Sequence, residues 1–329
     1  MEFLYDYGLF LAKTGTVVAA VAAIAGIIVA ASKRGAAPDT LEVENLNRHF
    51  RRLGDTLKRA MANKAAAKAL SKQRKQEAKS ASKSTESKPK RFVIDFKGDL
   101  RASATDALRH EVSAVIAAAD EGDDVIVRLE NSGGVVHEHG LAASQLKRLR
   151  DASIPLTVVV DKVAASGGYL MACVANRIVA APFAILGSIG VLAQLPNFNR
   201  LLDKHGVDFE QITAGKHKRT VTMFGRNTDE DRAKLREELE DIHTLFKSMV
   251  ADYRRELDID AVATGEYWYG SRALDLKLAD ELSTSDELLA KSVDDYDLYK
   301  VHYRLKQPLG RKLMQAADGL LGRLGLGQL

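Results

Sequence analysis

One cysteine in 329 residues excludes an intramolecular disulfide and any metal cage built from thiolates. That residue, Cys173, lies in an apolar run and reads as core; a lone thiol does not separate one cellular compartment from another. Net charge is also small, at +4, but its distribution is uneven. Between Lys64 and Arg91 ten Lys or Arg oppose two Glu, a local +8 that leaves −4 for the rest. No aromatic or base-reading motif accompanies this basic run, so nucleic-acid binding is not expected. No internal repeat is visible beyond Arg91. The longest absence is of charge itself, since Thr14 to Ser32 contains no charged side chain.

About twenty apolar residues span a bilayer core, and the stem of Lys13 lets its ammonium reach the interface. A cleaved leader has a basic start, whereas this chain begins Met1-Glu-Phe-Leu-Tyr-Asp6. Residues 1–35 therefore read as a retained single-pass transmembrane anchor. Lys33, Arg34, Arg48, Arg51 and Arg52 follow the span, and the positive-inside rule then places the body on the cytoplasmic side. Leu46, Phe50, Leu53 and Leu57 give residues 41–70 helical spacing, while the Lys/Ser/Ala-rich stretch 71–91 has almost nothing to bury. Residues 36–90 read as a basic linker, partly helical and otherwise a solvated spacer, with anionic lipid headgroups as the alternative partner.

At Arg91 the pattern changes. Short strands are expected at Phe92–Phe96, Val125–Leu129, Leu156–Val160, Arg177–Ala181 and Asp208–Ile212. Between them lie helical runs at Thr105–Ala119, where Leu108, Val112, Val115 and Ile116 form one stripe, and at Gly140–Leu149. Thr228–Leu257 is a long, highly charged helix. Alternation of this kind indicates α/β architecture, with parallel β/α units and buried strands. The expected domain covers 91–299, and 300–329 is a basic amphipathic tail carrying Leu313, Ala317, Leu320, Leu321 and Leu324.

Chemistry concentrates around Asp161-Lys-Val-Ala-Ala-Ser-Gly-Gly-Tyr169. A serine on a sharp strand-to-helix turn exposes its hydroxyl at a sheet edge beside helix-start N–H groups, which suits a nucleophile. The plain reading of Ser166 is a helix N-cap. Strand Val125–Leu129 ends in Glu130-Asn-Ser-Gly-Gly-Val135, and a glycine pair there lets backbone approach a ligand. Gly134 and Gly167 N–H groups are thus candidates for an oxyanion hole, and Ser188, in Leu186-Gly-Ser-Ile-Gly-Val191, for orienting a neighbour. The base is left open by the residues alone. His137, His139, His217 and His243 each allow a Ser-His-Asp triad. Lys218, flanked by His217 and Arg219 in Thr213-Ala-Gly-Lys-His-Lys-Arg-Thr220, has cationic neighbours that favour its neutral, basic form.

Val158-Val-Val-Asp-Lys-Val-Ala-Ala-Ser-Gly-Gly-Tyr-Leu-Met-Ala-Cys-Val-Ala175 and Ala181-Pro-Phe-Ala-Ile-Leu-Gly-Ser-Ile-Gly-Val191 strongly resemble the signal peptide peptidase A family of serine proteases. The likeness is greatest to its SohB-like branch of bacterial inner-membrane peptidases. Gly140-Leu-Ala-Ala-Ser-Gln-Leu146, Pro196-Asn-Phe-Asn-Arg200, the Lys218 run and Ala263-Thr-Gly-Glu-Tyr-Trp-Tyr-Gly270 agree as well, so the resemblance covers nearly the whole chain. It implies a crotonase-like (Clp-protease-like) β/α domain and a Ser–Lys dyad. Ser166 takes the nucleophile's place, Lys218 the general base's, Gly134 and Gly167 the oxyanion donors', and Ser188 that of a supporting residue. No cofactor or metal is implied.

One departure stands out. The family usually carries Ser-Pro-Gly-Gly where this chain has Asn131-Ser132-Gly133-Gly134, so a fixed φ is lost and a backbone N–H gained. A less rigid oxyanion hole is expected. The resemblance further implies an inner-membrane serine endopeptidase acting on peptides or unfolded segments, assembled as a homo-oligomeric ring or bowl. Signal-peptide clearance in this family puts the opposite face of the membrane against the charge count. Two rivals remain open: an acyl-thioester enzyme of the same fold, and a catalytically weak peptide-binding scaffold at the membrane.

Overall fold

Runs of Val, Ile and Leu that are apolar at successive positions build a sheet covered on both faces. The computed structural model describes residues 5–19, 39–63, 65–68, 72, 88–215 and 217–305. Ten strands are labelled here in chain order: β1 (Thr40–Asn45), β2 (Lys90–Lys97), β3 (Asp124–Glu130), β4 (Leu156–Val160), β5 (Val163–Ala165), β6 (Arg177–Ala180), β7 (Ile185–Gly187), β8 (Tyr267–Tyr269), β9 (Glu281–Leu282) and β10 (Asp297–Arg304). Seven form one sheet in the order β1-β10-β2-β3-β4-β6-β9, parallel at every pair from β10 to β9. The other three form a small sheet, β5-β7-β8, parallel then antiparallel. The chain thus alternates between two sheets, with β4 and β6 in the main one and β5 and β7, each following directly, in the small one.

Alternation along the strands sorts the core into two sides. Phe92, Ile94 and Phe96 of β2, with Val125, Val127 and Leu129 of β3, face the larger cluster. Helix Thr105–Ala118 covers them with Leu108, Val112 and Val115, and helix Val136–Asp151 with Ala142, Leu146 and Leu149. Val93, Ile126, Val159 and Val179 face the other way, toward Leu46 and Leu289. Burying a Val, Leu or Ile side chain is worth about 1.5–3 kcal/mol, so the larger cluster dominates stability. Cys173 lies inside it, and burial pushes its thiol up to about 12, consistent with an inert core residue.

Three local expectations give way. Leu41 reads as helical by spacing but lies in β1, whose Thr-Leu-Glu-Val-Glu-Asn pattern has a period of two. Helix Leu46–Met61 begins only after it, where the Asn45 side chain accepts from Arg48 N–H. Asp208–Ile212 is irregular rather than a strand; its apolar side chains, Phe209 and Ile212, are exposed and no sheet edge receives them. Helix Val136–Asp151 also starts a turn earlier than Gly140.

Residues Glu42–His302 form one compact unit, which takes in helix Leu46–Met61. Buried Asn47 fastens that helix: its Nδ2 donates to Val293 O and Tyr296 O, and its Oδ1 accepts from Leu298 N–H at 2.7 Å. The second unit comprises Met1–Leu41 and Tyr303–Leu329. Within it residues 5–19 are helical. The expected anchor at Thr14–Ser32 falls mostly on residues 20–38, outside the described ones, as do residues 73–87 of the basic linker and the tail from 306. Among the described residues no helix is long and apolar enough to cross a membrane.

Candidate active site

β5 ends at Ala165, and Ser166 opens helix Gly167–Ala172. Ser166 occupies the N-cap position, yet its side chain makes no capping bond and its φ is +52°. A non-glycine residue held there costs on the order of 1–3 kcal/mol, which the surroundings must offset. Ser166 N–H donates to Gly187 O at 2.8 Å, Ser166 O accepts from Leu170 N–H at 3.0 Å, and Ala165 N–H is held by Asn131 O at 3.0 Å. The hydroxyl itself has no hydrogen-bond partner among the described residues. The simple capping role is therefore absent, and a strained turn presents a free hydroxyl.

The glycine pair after β3 meets this turn. Asn131 bridges to Ala164 of β5 and its N–H donates to Val163 O at 2.8 Å, which brings the end of β3 beside the end of β5. Gly133 has φ +87° and lies so close to the serine that a Cβ on it would fall 2.7 Å from Ser166 Cβ and 2.8 Å from Gly167 N. Gly134, at φ +156°, is pressed on Leu100 O, where a Cβ would sit 2.2 Å away. Both positions demand glycine for this close approach. Gly134 N–H and Gly167 N–H donate to no other protein group among the described residues.

A cavity of about 270 Å³ opens beside Ser166. Gly134, Gly167 and Leu170 line it from the serine side, and Ile242, Leu245 and Phe246 close it from helix Asp229–Tyr253. By composition that helix reads as a charged rod, and this wall of the site is not expected from it. Ile242, Phe246, Met249 and Val250 recur at helical spacing and are the signal that marks its apolar stripe. Behind the serine, Tyr169 is fully buried and its hydroxyl donates to Leu278 O at 3.1 Å; burial raises its phenol far above the ordinary value.

Among the described residues none of the candidate bases is hydrogen-bonded to the hydroxyl. His139 is buried, with Nδ1 2.9 Å from Val135 O and Nε2 3.2 Å from Asn131 Oδ1, so both ring nitrogens are occupied. His137 lines the cavity and lies 3.9 Å from Glu138, His217 is exposed, and His243 Nε2 is buried without a partner among the described residues. Lys218 is exposed on a long irregular segment and does not line the cavity. Ser188, half-buried at φ +50°, donates its N–H to Glu266 O, while its hydroxyl has no partner among the described residues. No cluster of metal-binding side chains occurs among the described residues.

Residues 2–146 match the family Peptidase family S49 N-terminal, and residues 148–298 match Peptidase family S49. A "Probable protease SohB" of Haemophilus influenzae is 44% identical over 96% of this chain and 94% of its own length. Another, of Buchnera aphidicola subsp. Schlechtendalia chinensis, is 45% identical over 88% of this chain and 99% of its own. Among solved structures, the 1510-N membrane-bound stomatin-specific protease, as a lysine-to-alanine mutant in complex with a substrate peptide, aligns over 70% of this chain and 99% of its own. Its TM-score is 0.42 at 14% identity.

Proposed function

This chain belongs to peptidase family S49 and is a serine peptidase, and we propose that it is a membrane-anchored endopeptidase working by a Ser166–Lys218 dyad. The observation that carries this reading is the unpartnered Ser166 hydroxyl on a strained turn, with two uncommitted N–H groups beside it. In the proposed reaction the unprotonated amine of Lys218 takes the proton as Ser166 Oγ attacks the scissile carbonyl. Gly134 and Gly167 N–H groups receive the negative charge that forms on its oxygen, an arrangement worth about 2.7–4 kcal/mol per donor in comparable sites. Lys218 returns the proton to the leaving amine, and water then resolves the acyl-enzyme. The apolar cavity receives a side chain of an extended peptide, held between Leu170 and the helix that carries Ile242 and Phe246.

Completion of the dyad requires the Lys218 segment to close on Ser166. That segment, 191–227, exposes Leu192, Leu201, Val207 and Ile212, the last at 94%. Apolar surface of this kind supports burial against a second copy of the chain, and hence a homo-oligomer. The uncharged run Thr14–Ser32 supports the anchor, and the Lys and Arg that follow it support a cytoplasmic body at the bacterial inner membrane. Hydrolysis of a fluorogenic peptide mixture by the full chain in detergent tests the core of this reading. Ser166→Ala is expected to lose at least about 10³-fold in rate with an unchanged melting temperature. Cleavage at the parent rate by that variant would refute the nucleophile.

A further inference from the structure

Asn131 and Ser132 stand where the resembling family carries Ser-Pro, so the glycine strap before the active serine lacks its usual stiffener. The structure replaces it. Asn131 is 1% exposed, and its Oδ1 accepts from Gly133 N–H at 2.9 Å, closing a tight turn on the first glycine. The same Oδ1 lies 3.2 Å from His139 Nε2, and Asn131 Nδ2 reaches Met171 Sδ at 3.3 Å. Three glycines make room for this pair. A Cβ on Gly98 would fall 2.5 Å from Asn131 Cγ, and one on Gly168 2.1 Å from Asn131 O. A Cβ on Gly167 would fall 2.4 Å from Cγ of the His139 ring.

We infer that Asn131 and His139 are positioning residues for hydrolysis, holding both oxyanion donors in place through a buried polar clamp. The inference rests on the reading of Ser166 as nucleophile. His139 is the joint between the two halves of the site, since one edge of its ring meets Asn131, which fixes Gly133 and so Gly134, while its body backs Gly167. Val135 O and Asn131 Oδ1 are both acceptors, so a neutral ring satisfies one and a ring protonated at both nitrogens satisfies both; in either state the ring packs against Gly167 and touches Asn131. Buried polar groups that are hydrogen-bonded rigidify their surroundings; a leucine at 131 would fill space without binding Gly133 N–H, and one at 139 would leave Asn131 Oδ1 without its contact to the ring.

The test is peptide hydrolysis by the full chain, with kcat and KM separated. Asn131→Ala is expected to lower kcat about 10- to 100-fold with KM within threefold, because misplaced donors weaken only the transition state. Ser132→Pro added to Asn131→Ala is expected to restore at least fivefold of that loss. The proline removes no hydrogen bond here, as Ser132 N–H has no acceptor among the described residues. His139→Gln, which keeps a donor for Asn131, is expected to stay within threefold of the parent, and His139→Leu to fall with Asn131→Ala. A merely structural role would lower melting temperature and active fraction without rescue by proline. Parent-like kcat in Asn131→Ala and His139→Leu, with Ser166→Ala dead, would overturn the clamp alone; an active Ser166→Ala would overturn the underlying reading.

Discussion

The wall that carries Ser166 and the segment that carries Lys218 are built on opposite terms. Around Ser166 the backbone is cramped: Gly133, Gly134, Gly167 and Gly168 each sit where a single added carbon would strike a neighbour below 3 Å. Between 191 and 227 no described residue is buried, and Gly206 has nothing within 4 Å of a would-be Cβ. That segment keeps some order of its own. Phe198 stacks on Phe224 at 6.1 Å, Phe209 tilts against Phe224 at 5.8 Å, and Asn197 Nδ2 donates to Thr222 O and Gly225 O. It is a self-closed loop, and it does not share the core. A site needs a rigid place for developing charge, whereas a proton carrier tolerates a movable mount until substrate arrives. On the proposed reading, the half that carries Ser166 is built against the core, and the half that carries Lys218 is an exposed segment that has to close on it.

The largest effect is expected from removing the movable half. Lys218→Ala should lower peptide hydrolysis about 10²- to 10⁴-fold, the usual share of a positioned general base, with no change in melting temperature because Lys218 supports no core contact. Mixing Lys218→Ala with Ser166→Ala sharpens the comparison. If a second copy covers the exposed apolar segment, the mixture regains a measurable part of parent activity, since some sites then combine an intact serine with an intact lysine. A mixture as inactive as its components would place both residues within one chain.

The rigid half makes the next prediction. Gly134→Ala forces a Cβ to 2.2 Å from Leu100 O at φ +156°, so backbone has to move. The expected result is a loss of about 10²–10³-fold in kcat, with about 1–3 kcal/mol of stability. Gly206→Ala on the Lys218 segment is the control. At φ +67° in open space it should cost about 1 kcal/mol and leave kcat unchanged. Equal effects at the two glycines, read by melting and by initial rate, would erase the distinction drawn above.

Legibility follows the same division. The parallel strands and their helices are readable because Val125–Leu129 and Leu156–Val160 are continuous apolar runs and Leu108, Val112 and Val115 form a stripe. Ser166 and the glycine pair are readable because backbone strain leaves a residue signature. What escapes is whatever depends on a distant partner. Phe209 and Ile212 have strand-like composition, but no edge pairs with them. Asn131 reads as a weakness until its contact with His139 eight residues later is visible, and His139 reads as a base until its nitrogens are found occupied. The cavity's far wall escapes for the same reason, because Ile242 and Phe246 interrupt a helix whose other faces are charged.

The smallest effect is expected behind the serine, where the rigid wall rests on charge. Arg254, at the end of the helix that closes the cavity, donates to both Asp280 oxygens at 2.9 and 2.6 Å and to Lys277 O at 2.8 Å. Asp280 also accepts from Ile178 N–H at 2.7 Å. Burial alone would raise this carboxyl; the bonds from Arg254 and Ile178 outweigh it and hold Asp280 below its ordinary value. A group lowered on folding stabilises the protein above its unfolded pKa, about 3.9 for Asp, and that contribution disappears as pH falls through the folded value. Asp280→Asn should therefore lower stability by about 1–2 kcal/mol at pH 7, at the modest end because the carboxylate is a third exposed. The gap between parent and variant melting temperatures should narrow below about pH 4 as the parent's own carboxyl takes up a proton. No ion pair braces segment 191–227 among the described residues, so local protection there, followed by hydrogen exchange, should not change between parent and variant. A gap that stayed constant to pH 2 would remove Asp280 from the support of the serine wall.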